Sequence, residues 1–342
     1  MTLTRFVVLS SLLACLVLSA VAQEQQFADL GDLKLASGEA IRDCRIGYRT
    51  FGRLNENRSN AILFPTWANG TTEQLKSAIV PGGSLDLSAY YVIAVDALGN
   101  GVSSSPSNSR LQPRMSFPRF TIRDMVESQH ALLTRVLHLD HLEAVIGMSM
   151  GGMQTFQWMV SYPGFMDQAI PIVGSPRLAP YDLMHWQTQI DAIVNHAAWK
   201  NGDYTENPTR VAEVQFGALL LNTPEYYNAH TTRQQVFEQL EEAKKSSGAV
   251  DANNKIRQVQ AMIALDVSDT FGGSMEAAAA AVKAKVLVVV SRTDHVVTPL
   301  PALEFARRLG AQVLELDNNC GHLAPNCEQE RVAEAVHRFL GR

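Results

Sequence analysis

The residues of this chain best suited to chemistry lie in the string Gly147-Met148-Ser149-Met150-Gly151-Gly152. Small residues on both sides of a serine let the backbone turn sharply from a strand into a helix, which lifts the hydroxyl above the sheet edge. The apolar run Ala144-Val145-Ile146 precedes the string, and a helical pattern follows it to about Tyr162. That context is a nucleophile elbow rather than a mere helix-capping serine. At a helix N-terminus Ser149 also sits where the dipole and free N–H groups favour developing negative charge.

A serine hydroxyl is inert without a base, and elbow enzymes supply the partners in the order Ser, acid, His. Asp294 follows the apolar run ending at Val290, and His322 follows the last predicted strand, in Asn319-Cys320-Gly321-His322. Both positions are loops at strand C-terminal ends, the face where open α/β sheets build sites. His322 is expected to take the Ser149 proton while Asp294 orients the imidazole. His295 competes for the base, but it directly follows Asp294 and is poorly placed to reach Ser149. Asp269, in the turn to Gly273, is the second choice for the acid. The oxyanion hole needs two backbone N–H donors. These are expected from Met150, directly after the nucleophile, and from Ala68 in the loop Thr66-Trp67-Ala68-Asn69-Gly70. No set of His, Cys and carboxylates has zinc-ligand spacing, so neither metal nor cofactor is expected.

Several elements must position these residues. The segment from Ile41 to Phe51 alternates apolar and polar residues, and Ala61–Phe64 and Tyr90–Val95 are short apolar runs ending in loops. From Thr121 the pattern becomes strand–helix alternation. Thr121-Ile122-Arg123-Asp124 reads as a capping box opening a helix to about His138. Strands are expected at Ala144–Ile146, Ala169–Val173, Val286–Val290 and Val313–Leu316, and helices at Pro301–Leu309 and Arg331–Leu340. Such alternation implies an α/β fold, a mostly parallel sheet flanked by helices. Between residues 177 and 281 the alternation stops. This helix-rich, Gln/Asn/Ala-heavy stretch is expected to be a helical cap inserted into a core of residues 23–176 and 282–342.

Composition narrows the class further. The chain has 342 residues, is 46% hydrophobic and 18% charged, and carries a net charge of −5. Those values exclude disordered and low-complexity architectures, and the absence of basic runs speaks against nucleic acid as a partner. Residues 1–22 read as a signal peptide. Arg5 is followed by an apolar stretch from Phe6 to Leu18, and Ala20-Val21-Ala22 supplies a cleavage site. A lipoprotein signal ending at Cys15 and an uncleaved anchor are the weaker alternatives, the latter because the run falls short of a span. The mature protein is therefore expected to be secreted or periplasmic, with no membrane attachment and a small-molecule acyl substrate. Its oligomeric state is left open, a homodimer included. Removal of Cys15 leaves Cys44, Cys320 and Cys327. In an oxidising compartment the last two could bridge around His322, or stay independent thiols.

Longer motifs resemble a known family. Tyr48–Asn55, Arg58–Leu63, Phe117–Val126 and above all Ile146-Gly147-Met148-Ser149-Met150-Gly151-Gly152-Met153-Gln154 are similar to the homoserine O-acetyltransferase-like branch of the α/β-hydrolase superfamily. The resemblance implies an α/β-hydrolase fold, and it implies that Arg177, after Gly174-Ser175-Pro176, lies near the substrate pocket. Departures concern the substrate. The family has His-Ala-Leu-Thr-Gly where this chain has Thr66–Gly70, and Asp-Ala-Phe after its histidine where this chain has Leu323-Ala324-Pro325. Its cap signature is reduced here to Leu265–Asp269. Without that aspartate a homoserine ammonium has no partner. Three functions are in competition: a serine hydrolase acting on a small ester, a homoserine-type acyltransferase using an acyl-CoA donor, and a catalytically silent binding protein of the same fold.

Overall fold

The structure is a computed structural model that describes residues 24–79, 85 and 87–341. The expected signal peptide, with Cys15, lies outside the described residues. Eight strands form one sheet in the order β1-β2-β4-β3-β5-β6-β7-β8. At one edge β1 (Gln26–Lys34) and β2 (Ala40–Phe51) pair antiparallel, and β2 runs antiparallel to β4 (Tyr91–Val95). Beyond β2 every pairing is parallel, through β4, β3 (Ala61–Pro65), β5 (Leu142–Met148), β6 (Met166–Ile172), β7 (Lys285–Ser291) and β8 (Gln312–Leu316).

The central strands read as unbroken apolar runs because both of their faces are covered. Leu63, Ile93, Val145 and Val288 point to one hydrophobic cluster, while their neighbours Ile62, Val92, Ile146 and Val289 point to another. Helix α1 (Thr72–Ile79) covers the second face. α2 (Ile122–Ala131), which continues as a π-helical turn to Val136, and α3 (Met150–Ser161) cover the first. The expected capping box is present at the start of α2, where Thr121 Oγ1 accepts from Asp124 N. The Asp124 carboxylate accepts in return from Thr121 N and also from Ala36 N of the β1–β2 turn.

Among the described residues no strand lies between β6 and β7. The segment holds α4 (Pro180–Val194), α5 (Val211–Leu221), α6 (Pro224–His230), α7 (Arg233–Ser246), α8 (Ala252–Ile263) and α9 (Met275–Ala281). The expected cap boundary at residue 281 falls at the end of α9, which itself meets the core. Met275, Ala278 and Ala279 of α9 are buried in the cluster that holds α3, and α9 packs on α3 and α10 (Leu300–Leu309). A run of alanines signals helix but not which neighbour its face meets, so only packing assigns α9 to the core. The cap's amide-rich composition has a reason in α8. Its buried Asn254, Arg257 and Gln258 bond to Ser107, to Phe117 O and Met115 O, and to Leu98 O, all in core loops. The short α11 (Ala324–Cys327) and the closing α12 (Gln329–Leu340) complete the chain, with α12 on the second face.

Candidate active site

The elbow is as tight as its sequence demands. Ser149 has φ 56° and ψ −121°, a strained conformation for a residue with a side chain, and its N–H donates to Ile172 O at 2.9 Å. Glycine is required on both sides. A Cβ on Gly147 would overlap the Gly151 carbonyl, and one on Gly151 would stand 2.6 Å from Pro65 O at the end of β3. Val173, directly after β6, also holds a positive φ of 41° while its N–H reaches Val289 O. Two strained residues thus stand at adjacent strand ends.

Tertiary folding brings Ser149, His322 and Asp294 into one hydrogen-bonded chain. His322 Nε2 lies 3.0 Å from Ser149 Oγ, and His322 Nδ1 lies 2.7 Å from Asp294 Oδ2. An ionised carboxylate only accepts, so Nδ1 carries the hydrogen and Nε2 is left free to accept from the serine hydroxyl. The other carboxylate oxygen, Asp294 Oδ1, accepts from Val296 N and Val297 N at 2.8 and 2.9 Å. Asp294 and His322 are both buried. His295 takes no part in the chain, and Asp269 is exposed in a 3₁₀ turn apart from it.

Residues that the sequence did not single out hold this chain in place. In α4, Asp182 accepts from Thr298 N and Thr298 Oγ1, and His185 Nε2 donates to Val296 O at 2.8 Å. The cap thereby clamps the Asp294–Thr298 loop at its middle and at its far end. Burial pushes the Asp182 carboxyl above its ordinary range and His185 below 6.5. The histidine loop is held from α5–α6, where Asn222 Nδ2 donates to Cys320 O and Thr223 Oγ1 to Asn319 O. Cys320 and Cys327 form a disulfide that spans His322, while Cys44 is a free buried thiol whose pKa burial pushes up to about 12.

Ala68 and Met150 both border Ser149's surroundings. Ala68 lines the same cavity as Ser149, and Met150 is the first residue of α3. Neither N–H is taken by another acceptor among the described residues. Two buried glutamines fix the Ala68 loop. Gln154 Nε2 donates to Thr66 O at 3.0 Å, and Gln258 Oε1 accepts from Asn69 N at 2.7 Å. Gln154 could have been flagged as an amide on an otherwise apolar helix, but Gln258 has no such signal. The cavity has a volume of about 770 Å³ and is mostly apolar, with Leu323 and Pro325 in its wall. Arg177, expected near the substrate pocket, is not among the residues that line this cavity. Its guanidinium is half-exposed and pairs with Asp266 at 3.3 Å, and a short β-bridge joins the two residues.

A family model described as alpha/beta hydrolase fold matches residues 62–325. The chain is 32% identical over 286 residues to an ethyl acetate hydrolase of Pseudomonas veronii, covering 80% of this chain and 81% of that one. It is 27% identical to a homoserine O-acetyltransferase of Methanococcoides burtonii, over 91% of this chain and 72% of the relative. The solved structure of an acetylester hydrolase from Corynebacterium glutamicum superposes with a TM-score of 0.87 at 26% identity, covering 93% and 96% of the two chains. The fold, the elbow and these likenesses place the chain among the enzymes. It belongs to the α/β-hydrolase superfamily, in the homoserine O-acetyltransferase-like branch that holds both ester hydrolases and acyltransferases.

Proposed function

We propose that this protein is a serine ester hydrolase acting on small esters through an acyl-enzyme on Ser149. The observation that carries the reading is the unbroken chain from Ser149 Oγ through His322 to Asp294, at 3.0 and 2.7 Å. Ser149 Oγ attacks the ester carbonyl as His322 Nε2 takes its proton, and Asp294 stabilises the imidazolium that forms. The carbonyl oxygen, now negative, is met by the N–H groups of Met150 and Ala68. The C–O bond to the alcohol breaks, His322 returns the proton to the departing alcohol, and water then releases the acid by the same route in reverse. The likeness to an ethyl acetate hydrolase supports short esters as substrates. The charged, apolar and small-residue regions of residues 1–22 support export, and N-terminal sequencing of protein recovered outside the cytoplasm tests it.

Acyl transfer is the second reading, favoured by the likeness to a homoserine O-acetyltransferase. Against it, Leu323 and Pro325 present apolar surface to the cavity beside His322, and no carboxylate lines it among the described residues. The test is turnover of short-chain nitrophenyl esters by the native protein and Ser149→Ala, with homoserine as competing acceptor. Hydrolysis that persists in Ser149→Ala refutes the acyl-enzyme. Diversion of the acyl group to homoserine establishes transfer instead.

A further inference from the structure

The cavity has a second polar locus on its cap wall. Among the described residues that line it, Lys255 carries the one formal charge besides the histidines, and no carboxylate lines it. Lys255 comes from α8, and its ammonium pairs with Glu213 of α5. Glu213 also takes a bond from Arg210 Nη1 at 2.8 Å, and the side chains of Arg210 and Glu213 are 1% exposed. Two cations therefore share one carboxylate. The neighbouring acid, Asp251, accepts only from neutral donors, Asn253 N and Asn254 N at Oδ1 and Tyr204 Oη at Oδ2, and so keeps its charge beside these cations. An ammonium has three N–H donors, and among the described residues Lys255 is paired only with Glu213, so donors remain for an anion in the cavity.

A neutral donor stands next to it. Gln189 of α4 is 3% exposed, lines the cavity, and its amide has no hydrogen-bond partner among the described residues. The Gln189 amide packs over Gly217, which is one turn along α5 from Glu213. Residues four apart share a helix face, so Gln189 and Lys255 meet the same face of α5 and both line the cavity. The Gln189 amide therefore faces the cavity with its hydrogen-bonding capacity free for a ligand.

We propose that Lys255 and Gln189 form a carboxylate-binding subsite, so that the preferred substrates are esters bearing an anionic group. The proposal rests on the ester-hydrolase reading above. Lys255 supplies the charge, the Gln189 amide donates a second hydrogen bond, and the apolar wall between them and Ser149 takes the connecting carbons. The same charge repels an amine-bearing acceptor. The carboxylate can belong to the acyl or the alcohol half, and the experiment separates the two.

The ratio of kcat/KM for an acidic ester to its neutral isostere is measured for native protein, Lys255→Gln, Lys255→Arg and Gln189→Leu. Methyl hydrogen glutarate against methyl pentanoate probes the acyl half, and acetoxyacetate against ethyl acetate probes the alcohol half. The ratio is expected to exceed one for one of the pairs. It should fall about 10-fold or more in Lys255→Gln, fall less in Gln189→Leu, and be largely retained in Lys255→Arg. Because each ratio is internal, a general loss of folded enzyme cancels. A native ratio below one for both pairs, or a ratio unmoved by Lys255→Gln, overturns the subsite. If the native protein cleaves no ester, the hydrolase reading fails separately, and calorimetric titration with glutarate decides the subsite. Binding that weakens in Lys255→Gln upholds it, and no binding to native protein refutes it.

Discussion

Replacing Asp294 by asparagine tests the proposed mechanism most directly, because the surrounding bonds dictate how the new side chain sits. Asp294 Oδ1 accepts two backbone N–H groups, from Val296 and Val297, whereas Oδ2 accepts one bond from His322 Nδ1. If the asparagine kept its carbonyl toward His322, its NH2 would face two backbone donors. That orientation forfeits two hydrogen bonds of about 1 kcal/mol each and leaves buried N–H groups unpaired at a further 1–3 kcal/mol apiece. The opposite orientation keeps both backbone bonds and points NH2 at His322 Nδ1. His322 then accepts there through the other neutral tautomer, a cheaper adjustment. Its Nε2 now carries the hydrogen and can no longer receive the serine proton. The expected result is a fall in kcat of about 10⁴-fold, or roughly 5.5 kcal/mol, with the melting temperature little changed. Steady-state turnover of a short-chain ester, with fluorophosphonate titration of active sites, measures it. A variant that folds natively and keeps kcat within about tenfold of native refutes the assigned role of Asp294.

Gln258→Leu removes the acceptor for Asn69 N and the donor to Leu98 O, both between buried or half-buried groups. It should cost about 1–3 kcal/mol in denaturant unfolding and lower kcat more than it raises KM, since the loop carrying Ala68 loses its brace. Gly151→Ala sets a methyl 2.6 Å from Pro65 O, a backbone atom that cannot swing away. Thermal melting should show destabilisation of several kcal/mol, about 3 or more, together with loss of activity. His185 is buried with its pKa held below the usual 6.5 mainly by desolvation, so the unfolded chain binds the extra proton first. Stability is therefore full above about 6.5 and declines as pH falls below it, and His130, depressed for the same reason, adds to the decline. In His185→Gln, which retains a donor for Val296 O, melting curves between pH 7 and 5 should fall less steeply. Reduction of the Cys320–Cys327 disulfide, or Cys320→Ser with Cys327→Ser, should cost about 2–3 kcal/mol by the chain-entropy relation for a loop this short. Ester turnover should decline with it, and full activity in the double variant would show that the bridge does not hold His322.

Local chemistry was legible in the sequence because neighbours within a few residues determine it. The glycines around Ser149 report a turn no larger side chain survives, and Thr121 with Asp124 reports the start of α2. The uninterrupted apolar runs of β3, β4, β5 and β7 report strands covered on both faces, since each pair of adjacent residues must be buried in a different cluster. The order of Ser149, Asp294 and His322 pointed to residues the structure brings within hydrogen-bond distance. What tertiary structure decided depends on contacts between distant segments, which leave no periodic or spacing signal. Asn69 meets Gln258 across 189 residues, and α4 grips the Asp294 loop through Asp182 and His185. Arg177 was expected near the pocket, and only the tertiary structure shows its pairing with Asp266. The polyalanine helix α9 went to the core because small side chains fit between α3 and α10, a matter of shape rather than pattern. Lys255 and Gln189 face one cavity because the helices that carry them, α8 and α4, pack directly on each other in the cap.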